Sequence, residues 1–254
     1  MAKISIITAV LNNARTIEDT IRSVASQDYP DVEHIVVDGG SIDGTAEILE
    51  KNKKNLAAVI SEKDRGIYYA MNKGLKVVRG DIIGLLNADD VYSSNNALSR
   101  VVQVFRDPTV DVCYADLVYV RPNDLDRVVR YWKSCEYRHE LFNNGWMPPH
   151  PTFFVRRRVY EMAGDFDTAF TIQADFEFMF RLLWRYRVKS VYIPHVLVKM
   201  RFGGTSNRLR NILKGNIEAW RACRKNGLMI GPFFIVKKIL SRIPQFFRRP
   251  EVGS

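Results

Sequence analysis

The first 109 residues of this chain alternate short apolar runs with segments of helical periodicity. Apolar runs at residues 4–11, 33–37, 57–61 and 82–86 predict four strands. After residues 16–19, which resemble a capping box, Ile17, Ile21 and Val24 repeat at helical spacing. Because strands that alternate with helices form parallel sheets through right-handed crossovers, we expect an α/β fold with a doubly wound, mostly parallel sheet flanked by helices.

The alternation stops near residue 110. Residues 112–120 and 127–132 predict strands without a helix between them, and residues 174–186 predict a buried helix. Residues 188–200 predict one or two strands broken at Pro194, and residues 207–228 predict a helix with Leu213, Ile217, Trp220 and Cys223 on one face. We therefore expect one α/β domain over 1–206, with halves at about 1–109 and 110–206, and a basic amphipathic helical extension over 207–254.

Composition and charge limit the class of protein. The 254 residues are 46% hydrophobic, enough for one sizeable core, and no apolar run reaches the roughly 18 residues that cross a bilayer. The three cysteines are widely spaced without a Cys-x-x-Cys pair, which argues against a disulfide framework or zinc site and fits a reducing cytoplasm. The net charge of +10 divides into −5 over residues 1–177 and +15 beyond them. This division predicts an acidic site for a cation and a basic surface for an anionic partner.

Polar side chains follow each of the four predicted strands where the strand ends. In chain order they are Asn12 with Asn13, Asp38, Asp64, and Asp89 with Asp90. Because the carboxyl ends of parallel strands meet at one edge of a sheet, we expect these side chains to share a cleft. Adjacent carboxylates suit a hard divalent cation that is shared with substrate phosphates. Each group alone is also explained as a turn or a cap, but four groups at one edge favour a binding site.

Two common nucleotide-binding motifs are missing from the sequence. No Gly-x-Gly-x-x-Gly follows the first strand, which argues against a dinucleotide-binding Rossmann site. No Gly-rich loop ending in Lys-Ser or Lys-Thr occurs, which argues against a P-loop. The expected cleft therefore belongs to another class of α/β protein.

Four segments together resemble the family 2 glycosyltransferases with the GT-A fold. They are residues 5–12 (SIITAVLN), 37–45 (VDGGSIDGT), 64–74 (DRGIYYAMNKG) and 87–90 (NADD), and the resemblance runs over about residues 3–205. It is closest to members that build bacterial surface polysaccharides. The resemblance implies inverting transfer from a nucleoside diphosphate sugar, expected to be UDP-linked, to a saccharide or polyprenyl-linked acceptor, with Mg²⁺ or Mn²⁺. The first half would then bind the nucleotide sugar, and the second half the acceptor.

The resemblance also implies roles for the residues of the first half. Asp38 would hold the base, Asp89 would face the ribose, and Asp90 with Asp89 would bind the metal. Asn87 stands where the family often has Asp. The further donor contacts would be Thr8, Val10, Asn12, Asp64, Arg65, Asn72, Asn87 and Arg201, the last in a glycine-containing loop at 200–207 that could close over the donor.

In the second half, the resemblance points to two segments. His150 lies in a segment (HPTFFVRR, 150–157) that would line the acceptor or phosphate side, although a structural histidine fits equally. Asp175 aligns with the family's catalytic base, while Ala174 replaces the usual Glu. A carboxylate at the start of a buried helix could deprotonate an acceptor hydroxyl, and the alternative is a helix N-cap. We also expect Glu177 on this side.

The basic extension predicts a surface for anionic lipid. Residues 219–250 hold eight cations and no acid, interleaved with apolar residues at helical spacing. A basic amphipathic helix of this kind lies in the headgroup region, and the alternative is that it packs on the domain. With no signal peptide evident at the N-terminus, we expect a cytoplasmic protein bound to the inner face of the cell membrane.

Two other functions fit the sequence less well than sugar transfer. A sugar-nucleotide pyrophosphorylase would need a Gly-rich, Arg-containing loop after the first strand, where this chain has Leu11-Asn12-Asn13. A basic nucleic-acid-binding protein would need base-stacking aromatics among its cations, but here the expected site is acidic and the cations lie in the tail. We therefore expect no nucleic-acid partner.

Overall fold

The computed structural model describes residues 2–203, 209–228, 231 and 234–247. The strands are β1 (Ile4–Val10), β2 (Val32–Asp38), β3 (Ala58–Ser61), β4 (Ile82–Leu85), β5 (Val91–Tyr92), β6 (Val112–Arg121), β7 (Asp124–Trp132), β8 (Phe154–Arg156) and β9 (Ser190–Arg201). The α-helices are α1 (Ile17–Ala25), α2 (Thr45–Lys51), α3 (Ile67–Leu75), α4 (Ala97–Val104), α5 (Arg157–Ala163), α6 (Ala174–Phe180), α7 (Leu209–Lys225) and α8 (Phe234–Leu240).

One sheet runs through the molecule in the order β3-β2-β1-β4-β8-β6-β9-β5, with β7 paired to β6. The four N-terminal strands are parallel, as the alternation predicted. Beyond β4 the sheet is mixed: β8 is antiparallel to both β4 and β6, while β6 and β9 are parallel. The sheet is therefore doubly wound in its first half and mixed in its second.

The apolar runs explain the parallel half. Every residue of β1 is buried, because β1 lies between β2 and β4 with helices against the sheet. On α1, the predicted helical repeat Ile17, Ile21 and Val24 is buried against the sheet. Strands buried on both faces are typical of parallel sheets, which accounts for their continuous hydrophobic sequence.

Pro194 interrupts the ladder of β9 without ending the strand. Ala115 of β6 pairs with Ile193, but the next residue, Asp116, pairs with Val196. The two skipped residues form a bulge, which suits a proline because its nitrogen cannot donate to the ladder. The prediction of one or two strands broken at Pro194 thus resolves into one bulged strand.

Helix α7 of the extension packs its small residues inward and turns several large apolar residues outward. On α7, Ala219, Ala222 and Cys223 are fully buried in the main core, whereas Leu213 and Ile217 are 69% and 59% exposed. The predicted apolar face is therefore divided: Leu213, Ile217 and Trp220 face outward, whereas Cys223, about 80° around the helix from Leu213, is buried with the two alanines. Of the described residues, no helix is long and apolar enough to cross a membrane.

We expect Gly84→Ala to destabilise the fold by about 1–3 kcal/mol through overpacking. Gly84 lies in β4, where an added Cβ would clash with the ring of Phe154, a fully buried side chain. Urea unfolding measures the effect. Gly231→Ala is the control, since its added Cβ would meet no atom of the described residues within 4 Å. An unchanged unfolding midpoint for Gly84→Ala would contradict the tight packing of β4 against Phe154.

Candidate active site

Asp38 ends β2 with both carboxylate oxygens hydrogen-bonded. One oxygen accepts from the backbone N–H of Ser41 at 3.1 Å, and the other accepts from the hydroxyl of Ser61 at 2.6 Å. The side chain is buried, and the backbone of Gly40 passes close to the chain at Lys63 with a φ of +85° that favours glycine. Asp38 therefore ties the loops after β2 and β3 to one strand end.

The loop after β1 is fastened to the loop after β2. Asn12 adopts a left-handed φ of 50°, which asparagine tolerates better than most residues. Its backbone N–H donates to Ser41 Oγ at 2.8 Å, and its side-chain oxygen accepts from the N–H of Ile42 at 2.9 Å. The carbonyl of Val10 accepts from Gly39, so the first two predicted groups do lie side by side.

Asp64 keeps one carboxylate oxygen without a hydrogen-bond partner among the described residues. That oxygen, Oδ2, is buried, while Oδ1 pairs with Lys73. Lys73 also bonds Glu62 at 2.6 Å, and hydrogen bonds to both carboxylates raise the pKa of its ammonium group. Arg65 beside it is exposed. The loop after β3 therefore offers a buried acceptor and an exposed cation at the same edge.

Thr8 and Asn72 have partners within the fold. The Thr8 hydroxyl is buried and hydrogen-bonded to His34 Nε2 at 2.9 Å. The Asn72 side chain donates to the carbonyl of Phe166 at 2.8 Å and accepts from its N–H at 3.0 Å, which fastens α3 to the loop before α6. In the described structure their polar groups hold the core together, and the structure does not bring them to the strand-end group.

Asp89 and Asp90 follow β4, but only Asp89 is partly exposed. Asp90 is fully buried: one oxygen accepts from Asn87 Nδ2 at 2.8 Å, and Oδ1 has no hydrogen-bond partner among the described atoms. Burial raises the pKa of both carboxyl groups, and the charge of Asp89 raises that of Asp90 further. Asp89 is therefore the more accessible of the two carboxylates, and Asp90 lies behind it in the fold.

The donor set at this edge fits a divalent cation that is shared with a phosphate. Two adjacent carboxylates, one with an orphaned buried oxygen, are what a cation would satisfy. Mg²⁺ is typically held by one or two carboxylates together with substrate phosphates and waters. Across the described ranges, no cluster of three or more His, Cys, Asp and Glu side chains could hold a metal by itself.

His150 connects the two halves of the site. It lies in a short 3₁₀ turn (His150–Thr152), with Nδ1 at 3.2 Å from Asp175 Oδ2 and Nε2 at 3.4 Å from Asn87 Nδ2. These partners assign the proton to Nδ1, so that Nδ1–H donates to Asp175 and Nε2 accepts from Asn87. Burial lowers the pKa of His150, while the charges of Asp175 and Asp89 oppose that shift.

Asp175 lies in the first turn of α6 with a donor at each oxygen. Besides His150 at Oδ2, the hydroxyl of Tyr68 donates to Oδ1 at 2.9 Å. Burial and the Asp175 charge raise the pKa of Tyr68 well above its usual value. Gln173 occupies the N-cap position, so the N-cap alternative for Asp175 is wrong. A carboxylate has further lone pairs, which leaves room for one more donor from a substrate.

Glu218 of α7 holds the loop that leads into Asp175. Its carboxylate accepts from the backbone N–H groups of Thr171, Ile172 and Gln173 at 3.2, 2.8 and 3.0 Å. Burial would raise the pKa of Glu218, but these hydrogen bonds outweigh it and the pKa is lowered. Sequence reasoning missed this residue. The available signal was that Glu218 is the only acid between residues 178 and 250.

Glu177 and Arg201 are held by partners of their own. Glu177 is fully buried and accepts from Asn226 Nδ2 at 3.0 Å, with Arg181 at 3.2 Å from its other oxygen. It therefore joins α6 to the end of α7 rather than the strand-end group. Arg201 bonds Asp19 and the carbonyl of Asp89, each at 2.6 Å, beside the predicted metal ligands. Residues 204–207 of the expected closing loop lie outside the described residues.

Sequence comparisons match this chain to glycosyltransferases. The family model of Glycosyl transferase family 2 matches residues 5–164. A PGL/p-HBAD biosynthesis glycosyltransferase of Mycobacterium tuberculosis is 29% identical over 210 residues, covering 81% of this chain and 79% of that protein. The poly-beta-1,6-N-acetyl-D-glucosamine synthase of Staphylococcus epidermidis is 40% identical over 90 residues, covering 35% of this chain. The match spans 22% of the synthase.

Solved structures share the architecture. The mannosyltransferase PcManGT of Pyrobaculum calidifontis, in complex with GDP-Man and Mn²⁺, has a TM-score of 0.66 at 21% identity, covering 93% of this chain and 69% of that one. S. aureus TarS 1–349 in complex with UDP-GlcNAc has a TM-score of 0.66 at 17% identity, covering 95% and 67%. These likenesses show the GT-A fold, with its central sheet and flanking helices. With the family match extending over residues 5–164, the chain belongs to glycosyl transferase family 2.

Proposed function

We propose that this protein is an inverting, metal-dependent glycosyltransferase of surface-glycan assembly. It moves a sugar from a nucleoside diphosphate sugar, UDP-linked, to a saccharide or polyprenyl-linked acceptor. The observation that carries the proposal is the hydrogen-bonded chain from Asn87 through His150 to Asp175, which sets a candidate base beside the strand-end carboxylates. Family membership favours transfer over the pyrophosphorylase and nucleic-acid-binding alternatives.

The donor binds across the ends of β1 to β4. Asp38 and Asp64 face the base, with Val10 and Asn12 shaping the loop beneath it and Arg65 near the phosphates. TarS was solved with UDP-GlcNAc, which supports a UDP sugar, while PcManGT was solved with GDP-Man. A screen of nucleotide sugars for release of nucleoside diphosphate therefore decides the base and the sugar together.

Mg²⁺ or Mn²⁺, held by Asp89 with Asp90 behind it, would neutralise the charge of the departing diphosphate. Arg201 holds the backbone of Asp89 in place. Asn87 holds Asp90 through its amide and reaches His150 with the same nitrogen. The chain's own residues therefore position the carboxylates from both sides.

Asp175 acts as the general base. Tyr68 and His150 orient its carboxylate, and Glu218 fixes the loop before it. Asp175 takes the proton of the acceptor hydroxyl as the hydroxyl oxygen attacks the anomeric carbon on the face opposite the diphosphate. The new carbon–oxygen bond forms, the bond to the diphosphate breaks, and the configuration of the sugar inverts.

The exposed side of the extension is the proposed membrane surface. On α7, Leu213, Ile217 and Trp220 share the outward face, and Arg224 stacks on the Trp220 ring at 4.7 Å. On α8, Phe234 packs inward while Ile239 and two neighbours are about half exposed. Both expectations for the tail can thus hold at once, since one face packs on the domain and the other offers apolar and basic groups to anionic lipid.

Asp175→Asn should reduce kcat by about 10²-fold or more, because the amide cannot accept the proton. Donor affinity should stay near the native value, since Asp175 lies on the acceptor side. Steady-state release of nucleoside diphosphate and calorimetric donor binding measure the two quantities. Asp165→Asn, an exposed acid, is the control. Lost donor binding with normal turnover of bound donor would assign Asp175 to the donor instead.

Excess chelator should abolish turnover, and added Mn²⁺ should restore it. Asp89→Asn should weaken donor binding in the presence of metal and leave the weaker, metal-free binding unchanged, because the amide is a poorer cation ligand. Donor titrations with and without metal make this comparison. Full activity in chelator would remove the metal from the proposal.

Replacing Leu213, Ile217 and Trp220 by serine should strongly reduce flotation with vesicles of equal parts phosphatidylglycerol and phosphatidylcholine. The reason is the loss of apolar surface that would enter the membrane. Each cation near anionic lipid contributes on the order of 1 kcal/mol, and salt screens that attraction, so salt should weaken the binding of the native protein. Met162→Ser, an exposed apolar residue on α5, is the control. Equal flotation of the triple variant at low and high salt would exclude α7 as the anchor.

A further inference from the structure

Two cations of the extension turn inward instead of facing solvent. Lys238 of α8 is only 2% exposed, and Arg242, one helical turn later, is part-buried. Their neighbour Lys237, on the same helix, is exposed. Because a cation is rarely buried without a partner, these two positions call for an anion.

The described residues supply no such anion. Neither Lys238 nor Arg242 has a carboxylate within 4.0 Å among them, whereas the buried cations Arg181 and Arg201 pair with Glu177 and Asp19. What lies against Lys238 is aromatic: its Nζ is 5.3 Å from the centre of the Phe176 ring. Burial and the charge of Arg242 lower the pKa of Lys238 to about 8, which agrees with a cation whose partner is missing.

The pair lies on the acceptor side of the site. Phe176, which Lys238 covers, follows Asp175 directly in α6. The backbone of Lys238 packs so tightly on Gly145 that an added Cβ there would lie 2.7 Å from its Cα. The segment is also tied down near Arg242, because Gln245 accepts two hydrogen bonds from Arg130.

Charge links this pair to Asp175, the candidate base. Asp175 is the carboxylate whose charge acts on both Lys238 and Arg242, in each case against the lowering of the pKa by burial. Both members of the pair therefore lie within electrostatic reach of the candidate base.

We propose that Lys238 and Arg242 form a binding site for a phosphate group carried by the acceptor, next to the hydroxyl that Asp175 deprotonates. The inference rests on the proposed function and narrows its acceptor to a phosphorylated one. A guanidinium fork and an ammonium group one turn apart suit a phosphate dianion better than a single carboxylate, because two charges and several oxygens are matched. Arg242, the more exposed of the two, meets the phosphate first.

The first test uses inorganic phosphate on the full chain in excess chelator, with calorimetry as the readout. Lys238→Met and Arg242→Gln should each weaken binding by about tenfold or more, since each removes a charged hydrogen-bond donor. Lys237→Met should bind as the native protein does. Lys238→Arg keeps the charge and should retain binding, which separates a lost ligand contact from a folding defect. No phosphate binding, or binding that both variants leave intact, overturns the proposal.

The second test separates acceptor phosphate from donor diphosphate. Donor affinity, measured by calorimetry with UDP and Mn²⁺, should be the same in Lys238→Met as in the native protein. The KM for an alkyl-phosphate-linked saccharide should rise about tenfold or more in that variant, while the matching alkyl glycoside shows no difference. A weakened affinity for UDP would assign the pair to the donor and overturn the proposal. Failure of the proposed function would appear differently, as no turnover of any nucleotide sugar by the native protein while phosphate still binds.

Discussion

A buried carboxylate is costly unless hydrogen-bond donors surround it, and much of this structure is organised by that requirement. Glu33 in β2 accepts from Ser5 and from two backbone N–H groups at the turn before β4. Asp116, beside the bulge of β9, accepts from two tyrosine hydroxyls and from the N–H of Ser134. Each acid takes its donors from distant parts of the chain, so each fixes a loop against the sheet.

Some buried polar groups lack a hydrogen-bond partner among the described residues, and several of these groups lie near the strand ends. Asp64 and Asp90 each keep a buried oxygen without a partner among the described residues. Lys238 is buried with no carboxylate within 4.0 Å in the same part of the chain. Glu33, Asp116 and Glu218 each have several hydrogen-bond donors. The groups without such partners lie where the proposed nucleotide, cation and acceptor would meet. These unsatisfied groups thus mark the candidate site.

The sequence predicted the parallel half well because its information is local. Continuous apolar runs placed β1 to β4 to within about one residue, and Asp38 ends β2 while Asp89 follows β4, two strands that both pair with β1. The second half was harder, because the three-residue β8 inserts between β4 and β6 and carries no periodicity of its own.

Contacts between distant residues could not be predicted in the same way. Tyr68 reaches Asp175 across 107 positions, and Glu218 reaches Ile172 across 46, and no local pattern encodes such pairs. The same limit applied to α7, where periodicity predicted a helix but not its inward face. The small side chains of Ala219 and Ala222 let the helix approach the core closely, and this turned the bulky residues outward.

Glu218 has a consequence for how relatives of this chain can be recombined. The family match ends at residue 164, yet the carboxylate that fixes the loop at 171–173 comes from a helix that begins at Leu209. A chimaera that carries the tail of another family member would have, in place of Glu218, whatever residue that tail supplies. Unless the loop at 171–173 and the tail were exchanged together, the hybrid would keep every residue of the candidate site. It would still misplace Asp175, because the loop before that residue would have lost its anchor. The tail of this chain is therefore not an interchangeable module.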